Sequence, residues 1–253
     1  MSLKRIPILD GGKLLSYAHL AFVPSSGLVI PPEMSERCKL LNPNHQVPYV
    51  LSRLAASAAL TEVVGSSVLF VGSRHHAQRY GAFLSLAHED LVGAAVACKE
   101  SFHASFGIDV VDIQHLERVA RRFPRFAARL LPRCDLASLT PTDVLGVRQT
   151  FGEGLNPTSV VLAGHWGLRE CCVKLVGIDG RSFPFECFRG PSGIFPEQFE
   201  AHMVGKGRDA LRSAALCPDL LVSVKPERVE LPGGGVKPYL VVVAACNKHG
   251  FTN

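Results

Sequence analysis

The segment 45–74 reads HQVPYVLSRLAASAALTEVVGSSVLFVGSR and carries the clearest local pattern in the chain. Its first part is rich in alanine and leucine, with apolar residues three and four apart, which predicts a helix with His45 just ahead of it. Residues 67–71 are apolar without alternation, which is typical of a strand covered on both faces. This strand ends at Gly72 and Ser73, and in open α/β sheets ligands bind just beyond such ends. The segment therefore predicts a helix, a buried strand and a binding site at the turn that follows.

Length and composition restrict the class of protein. The chain has 253 residues, of which 47% are hydrophobic, so one large or two small domains with a sizeable core are expected. The net charge of +5 is compatible with phosphate-bearing ligands without requiring nucleic acid. No signal peptide and no apolar run of about 20 residues is visible, which predicts a soluble or peripheral protein that is not secreted. The eight cysteines include no CxxC pair, which favours reduced thiols over a disulfide framework.

The sequence divides into three parts that differ in their pattern of residues. Residues 1–44 are interrupted by prolines and predict an irregular N-terminal arm, in which only short apolar runs such as 20–23 and 28–30 could be strands. Residues 45–165 predict an α/β core. Residues 166–253 predict a β-rich extension packed on that core, with a β-hairpin over 172–188 around a turn at Asp179 and Gly180. The strands expected elsewhere lie at 91–97, 108–113, 222–224, 228–231 and 239–245.

Several residues have chemistry that suits a nucleotide site, and each also has a purely structural interpretation. His45 is a possible nucleophile toward a phosphoryl group or a surface histidine in a loop. The Gly72–Ser73 turn allows close approach of a nucleotide or an S-adenosyl group, but any doubly wound protein could carry it. Asp109 and Asp112 end a predicted strand and could accept hydrogen bonds from ribose, while Asp112 could equally cap the next helix.

Two further groups stand out. Residues 115–133 combine periodic apolar positions with many arginines and a break at Pro124, which predicts either a phosphate- or membrane-binding surface or the solvated face of a packed helix. Cys98, His103 and Cys134 could contribute to a zinc site, although their spacing fits no standard finger and unligated thiols are the alternative.

The order of these features resembles the alphavirus-like capping domain, the viral methyltransferase–guanylyltransferase of positive-strand RNA viruses, over roughly residues 45–190. The resemblance consists of His45 ahead of a helix, SSVLFVGSR at 66–74, Asp112 and Arg118 ahead of VARR, Asp143 followed by valine, NPTS at 156–159 and VKLVGIDGRSFPF at 173–185. The chain departs from the family pattern at Phe70, where many members have an acid. It also departs in the spacing of Asp112 and Arg118, which is six residues where the family has three.

The resemblance implies a fold, an activity and partners. The fold would be a modified Rossmann-like mixed sheet flanked by helices, with a β-rich C-terminal part. The activity would be methylation of GTP at guanine N7 by S-adenosylmethionine, then formation of a covalent histidine–m7GMP adduct and transfer of the guanylate to RNA. Magnesium and zinc are further candidate cofactors, and Cys98 and Cys134 are the nearest candidates for the cysteine ligands with which some family members hold zinc. The partners would be GTP, viral RNA, other replicase domains, a second copy of the chain and an anionic membrane contacted through 115–133, in the host cytoplasm.

The resemblance also assigns roles to individual residues. His45 would be the catalytic nucleophile, and the cofactor- and nucleotide-binding residues would be Gly72, Ser73, Arg74, Asp112, Arg118 and Asp143. Two other functions stay open: a Rossmann-like methyltransferase without guanylyl transfer, and a non-catalytic viral RNA-binding or structural protein.

Overall fold

A computed structural model of the chain describes residues 1–10, 13–26, 28–69, 77–100, 104–131, 139–177, 180, 183–185, 187–189, 194–231 and 233–247. Within these ranges the strands are β1 Ser2–Asp10, β2 Lys13–Pro24, β3 Ala82–Glu89, β4 Val92–Lys99, β5 Ala104–Asp112, β6 Phe188–Arg189, β7 Gln198–Met203, β8 Asp219–Glu230 and β9 Val236–Asn247. The helices are α1 Pro32–Lys39, α2 Pro43–Val64, α3 Ile113–Arg122, α4 Pro124–Leu130, α5 Pro141–Phe151, α6 Pro157–Val176 and α7 Gly205–Ser213.

The strands form two sheets, with the orders β1-β2-β4-β3 and β5-β9-β8-β7-β6. This confirms the predicted α/β class with a β-rich C-terminal part. The strand arrangement differs in detail from a Rossmann-like mixed sheet, because every strand pair in the described ranges is antiparallel. Short connections such as those between β3 and β4 and between β8 and β9 favour antiparallel pairing, whereas parallel strands need long crossovers.

The two sheets face each other across an apolar interior. Phe22 and Val96 of the first sheet pack in one buried cluster with Phe106 and Val243 of the second. Where the edge strands β3 and β5 meet, the Ile108 amide donates a hydrogen bond of 3.3 Å to Ser85 Oγ. The inner faces of both sheets are therefore shared core.

Helices cover both outer faces. Leu51 and Ala55 of α2 pack against the outer face of the first sheet, and α6 packs with α3 against the outer face of the second. The protein is thus a four-layer sandwich of helix, sheet, sheet and helices. Burial of a side chain such as Leu51, which is fully buried, stabilises the fold by about 2 kcal/mol.

One glycine in each sheet allows its covering helix to come close. A Cβ at Gly93 of β4 would overlap the backbone of Leu51 and Ser52 in α2, and a Cβ at Gly107 of β5 would overlap the backbone of Cys171 in α6. Both helices thus pack against strand backbone, which only glycine permits at these two positions.

Several sequence-based boundaries need correction. Residues 1–44 are not an irregular arm, because they contain β1, β2 and α1. The possible strand 20–23 lies in β2, whereas 28–30 has no regular structure. The predicted domain boundaries at 45 and 165 fall inside α2 and α6. The hairpin over 172–188 is wrong, since residues 172–176 continue α6; Asp179 itself lies outside the described residues. In the predicted strand 67–71, residues 67–69 have no regular structure and the rest is not described.

Among the described residues, one helix, α2, is long and apolar enough to cross a membrane. Half of its most apolar 18-residue segment is buried inside the protein. Since α2 covers a sheet, as the core helix of a globular domain does, this is weak evidence for a span. None of the seven cysteines in the described ranges forms a disulfide.

Candidate functional site

The arginine-rich segment forms two short helices, α3 and α4. Asp112 caps α3, because its Oδ1 accepts a hydrogen bond of 2.9 Å from the His115 amide, which confirms the capping interpretation of this residue. Pro124 ends the first helix and starts the second, as the sequence predicts. Leu116 and Leu130 are buried toward the second sheet, so the apolar side of both helices is used in packing.

The opposite side of these helices carries five exposed arginines, Arg118, Arg121, Arg122, Arg125 and Arg129, which we call the arginine surface. Glu117 is the single acidic residue between 113 and 131, and its Oε1 lies 2.6 Å from Arg121 Nη2. The result is a compact cationic area with little internal neutralisation.

Two aromatic rings accompany the arginine surface. The Arg122 guanidinium lies 5.4 Å from the ring centre of Phe123, and the Arg129 guanidinium lies 4.5 Å from that of Phe185. Phe123 is 54% exposed. Such a ring beside guanidinium groups offers a stacking platform as well as positive charge.

A cavity of about 310 Å³ lies behind the arginine surface, between α3, α4 and the first turn of α6. Its walls are apolar and come from Ala120, Ala127, Ala128, Leu131 and Leu162. Its polar lining comes from the Glu117–Arg121 pair and from Asn156, Thr158 and Ser159.

The polar lining of this cavity is held in place by the cap of α6. The Asn156 side-chain oxygen accepts a hydrogen bond of 3.0 Å from the Thr158 amide, and the Ser159 amide donates to the Asn156 carbonyl at 2.9 Å. Ser159, whose side chain lines the cavity, is only 5% exposed.

A second cavity, of about 360 Å³, lies between α5, α6 and strands β8 and β9. Asp143 is on its wall, but Asp143 Oδ2 accepts hydrogen bonds from the Thr140 amide at 2.8 Å and the Thr140 hydroxyl at 2.7 Å. These bonds lower the pKa of Asp143. The Asp143 amide in turn donates to Thr140 Oγ1 at 3.1 Å, which completes a capping box at the start of α5. Within the described residues the lining of this cavity contains Asp143 and Glu197 but no cation, so it does not suit a phosphate group.

The predicted catalytic and binding residues do not all lie in one site. His45 is exposed in the first turn of α2, on the outer face of the first sheet, whereas Arg118 and Asp143 belong to helices on the far side of the second sheet. Two sheets therefore separate His45 from Arg118 and Asp143. Gly72, Ser73 and Arg74 lie outside the described residues.

Asp112 is 4% exposed and has two partners. Besides capping α3, it places its Oδ2 2.7 Å from the Lys237 ammonium. Asp109 is likewise engaged, since its Oδ1 lies 2.9 Å from Lys174 Nζ, and Lys174 also donates to the Ile108 carbonyl at 2.6 Å. Burial raises the pKa of Asp109. Both carboxylates therefore take part in bonds that hold the fold.

Sequence reasoning missed a polar cluster at one end of the sheets. Lys237 Nζ also lies 2.6 Å from Asp90 Oδ2, and the Tyr239 hydroxyl donates to Asp90 Oδ1 at 2.8 Å. Burial, together with Asp109, Asp112 and Asp90, raises the pKa of neighbouring Glu89 to about 7. No local pattern signals this cluster, because its members come from three segments far apart in the chain.

Of the three residues proposed for a zinc site, only one lies within the described ranges. Cys98 is buried in β4, while His103 and Cys134 lie outside the described ranges. Within those ranges no group of three or more His, Cys, Asp or Glu side chains could hold a metal ion.

Comparison with known proteins adds no assignment: no protein-family model matches the chain, and no curated protein is significantly similar to it.

Proposed function

We propose that the protein binds RNA through the arginine surface of α3 and α4. The observation that carries this proposal is the group of five exposed arginines with a single neighbouring carboxylate, Glu117. Guanidinium groups form paired hydrogen bonds with phosphate, and neutralised phosphates release counterions, which is the main source of affinity for nucleic acid. RNA is the nucleic acid that the family resemblance implies.

The arginine surface supports RNA binding better than binding to a membrane. An amphipathic helix that lies on a membrane inserts its apolar side between the lipids. In α3 and α4 that side is occupied, because Leu116 and Leu130 are buried in the core. Between residues 113 and 131, Phe123, at the junction of the two helices, is the one large apolar side chain that is strongly exposed. The positive charge is therefore presented without a lipid-facing apolar surface.

The test is the salt dependence of binding to a fluorescent single-stranded RNA oligomer. A triple variant, Arg118→Ala with Arg122→Ala and Arg125→Ala, should bind more weakly, and its log–log slope against salt should be smaller by about 2. The control carries Arg37→Ala, Lys39→Ala and Lys99→Ala, which removes three exposed cations from the other side of the sandwich. Equal losses in both triple variants would show that net charge, and not the arginine surface, is responsible.

RNA capping remains a proposal that rests on the resemblance alone. It would use His45 as the nucleophile and RNA as the acceptor, and the arginine surface supports only the second of these requirements. The two parts can be tested independently, since His45 is far from the arginine surface in the fold.

A further inference from the structure

The cavity behind the arginine surface has the size and the chemistry of a site for a planar ring. Its volume of about 310 Å³ is at the lower end of the range typical of small-ligand sites, about 300–1,000 Å³. Ala120, Ala128 and Leu162 give it apolar walls, which suit the face of an aromatic ring better than a charged group.

The polar groups of the cavity suit the edge of a base. The hydroxyls of Thr158 and Ser159 can each donate or accept, and the Glu117 carboxylate accepts. Ser159 is 5% exposed, so its hydroxyl is a sheltered polar group in the cavity lining. The cavity thus combines sheltered polar groups with largely apolar walls.

A free phosphate fits this cavity poorly. Residue 157 is proline and has no N–H, while the amides of Thr158 and Ser159 already donate to Asn156. The carboxylate of Glu117 would also repel an anion inside the cavity. The phosphate is better placed at the mouth, where the exposed Arg121 uses one bond to Glu117 and keeps further N–H donors.

We infer that the cavity takes one unpaired base of a bound RNA, so that the protein prefers single-stranded over duplex RNA. This inference rests on the proposed RNA binding and names the form of RNA that is bound. The arginine surface holds the phosphates on either side, and the base turns inward between α3, α4 and α6. A duplex presents its phosphates equally well, but its paired bases cannot enter the cavity.

The experiment compares three ligands of one sequence: a single-stranded 10-mer, its duplex, and the single strand with abasic ribose throughout. Wild-type protein should bind the single strand roughly tenfold more tightly than either of the others, since a stacked base adds that order of affinity. The salt dependence should be similar for the single strand and its abasic form, because both have the same phosphates.

Two variants address the cavity. Ala128→Leu fills it and should reduce the affinity for the single strand to that for the abasic strand, with an unchanged salt slope. Gln114→Leu adds the same side chain to an exposed position of α3 outside the cavity and should change nothing. Ser159→Ala is small enough to be tolerated in the fold, and it should weaken single-strand binding roughly fivefold through one lost hydrogen bond.

The outcomes separate the inference from the proposed function. If wild-type protein shows no salt-dependent binding to any RNA, the proposed function fails and the inference fails with it. If binding is salt-dependent but equal for the single strand, the duplex and the abasic strand, only the inference is overturned. It is also overturned if Ser159→Ala and Ala128→Leu, both folded by circular dichroism, retain the full single-strand preference.

Discussion

The Lys237 ammonium lies 2.7 Å from Asp112 Oδ2, an ion pair that ties the start of β9 to the end of β5. Because the same ammonium lies 2.6 Å from Asp90 Oδ2, in the turn between β3 and β4, one lysine joins both sheets. Burial disfavours the charge of Lys237, but the hydrogen bonds to Asp112 and Asp90 outweigh this and raise its pKa.

Removal of this lysine should be strongly destabilising. Lys237→Met leaves the Asp112 carboxylate, which is 4% exposed, without its countercharge, and breaking a buried pair in this way costs about 3 kcal/mol. Lys39→Met is the control, since the pair of Lys39 with Glu36 is exposed and contributes about 0–1 kcal/mol. The measurement is the free energy of unfolding in urea, and equal values for the two variants would contradict the assigned role of Lys237.

Glu89 should make stability depend on pH near neutrality. Its pKa is about 7 in the folded protein, raised first by burial and then by Asp109, Asp112 and Asp90. An unfolded glutamate has a pKa of about 4.3, so the folded state holds the proton more tightly. This contribution is fully present below about pH 4.3 and is lost as the pH rises through 7.

We therefore expect Glu89→Gln to lose less stability than wild type between pH 5 and pH 8. Glu89 is half-buried, so solvent screening reduces the effect. The stability lost between the two pH values should therefore differ between the two proteins by on the order of 1 kcal/mol. Urea unfolding at the two pH values measures it. Parallel pH profiles for the two proteins would show that the proton on Glu89 does not contribute.

Because two helices pack closely against strand backbone, substitution of the glycine at either contact should destabilise the fold. Gly107→Ala puts a methyl group into the backbone of Cys171, and Gly93→Ala puts one into the backbone of Leu51 and Ser52. Each should cost about 1–3 kcal/mol or more, since backbone cannot move aside as a side chain can. Gly146→Ala in α5 is the control, because a Cβ there meets nothing within 4 Å. This control should be neutral or stabilise the protein by up to about 1 kcal/mol. The measurement is the midpoint of thermal unfolding of the three variants, and equal midpoints would contradict the close approach of helix and strand backbone.

The elements that the sequence predicts well are those whose local pattern agrees with their packing. The helix after His45, the break at Pro124 and the strands around 91–97, 108–113 and 239–245 all have a periodicity that their burial requires. Most of the first two strands is missed because prolines argue against strands, and only the run 20–23 in β2 is recognised as a possible strand. Pro7 is tolerated since β1 is an edge strand, and Pro24 is tolerated since it is the last residue of β2.

Other features have no local signal. Residues 172–176 are mostly apolar and partly β-branched, which favours a strand. The packing of Cys171 and Cys172 in the core keeps them in α6. The cluster around Lys237 depends on sheet pairing that places Asp90, Asp112 and Tyr239 together. The arginine surface is visible in the sequence, but the cavity behind it is not, because α6 joins it from another part of the chain.

The family resemblance makes one chemical prediction that involves His45 alone. Incubation with GTP, S-adenosylmethionine and magnesium should give a protein-bound guanylate that is labile in acid, as expected for a phosphoramidate on histidine. His45→Ala should abolish the label while changing the free energy of unfolding by less than about 0.5 kcal/mol, because His45 is exposed. His202→Ala is the matched control, since His202 is an exposed histidine on β7 of the other sheet. A wild-type label no stronger than that of His45→Ala would remove the nucleophile assignment, and it would leave RNA binding through the arginine surface unaffected.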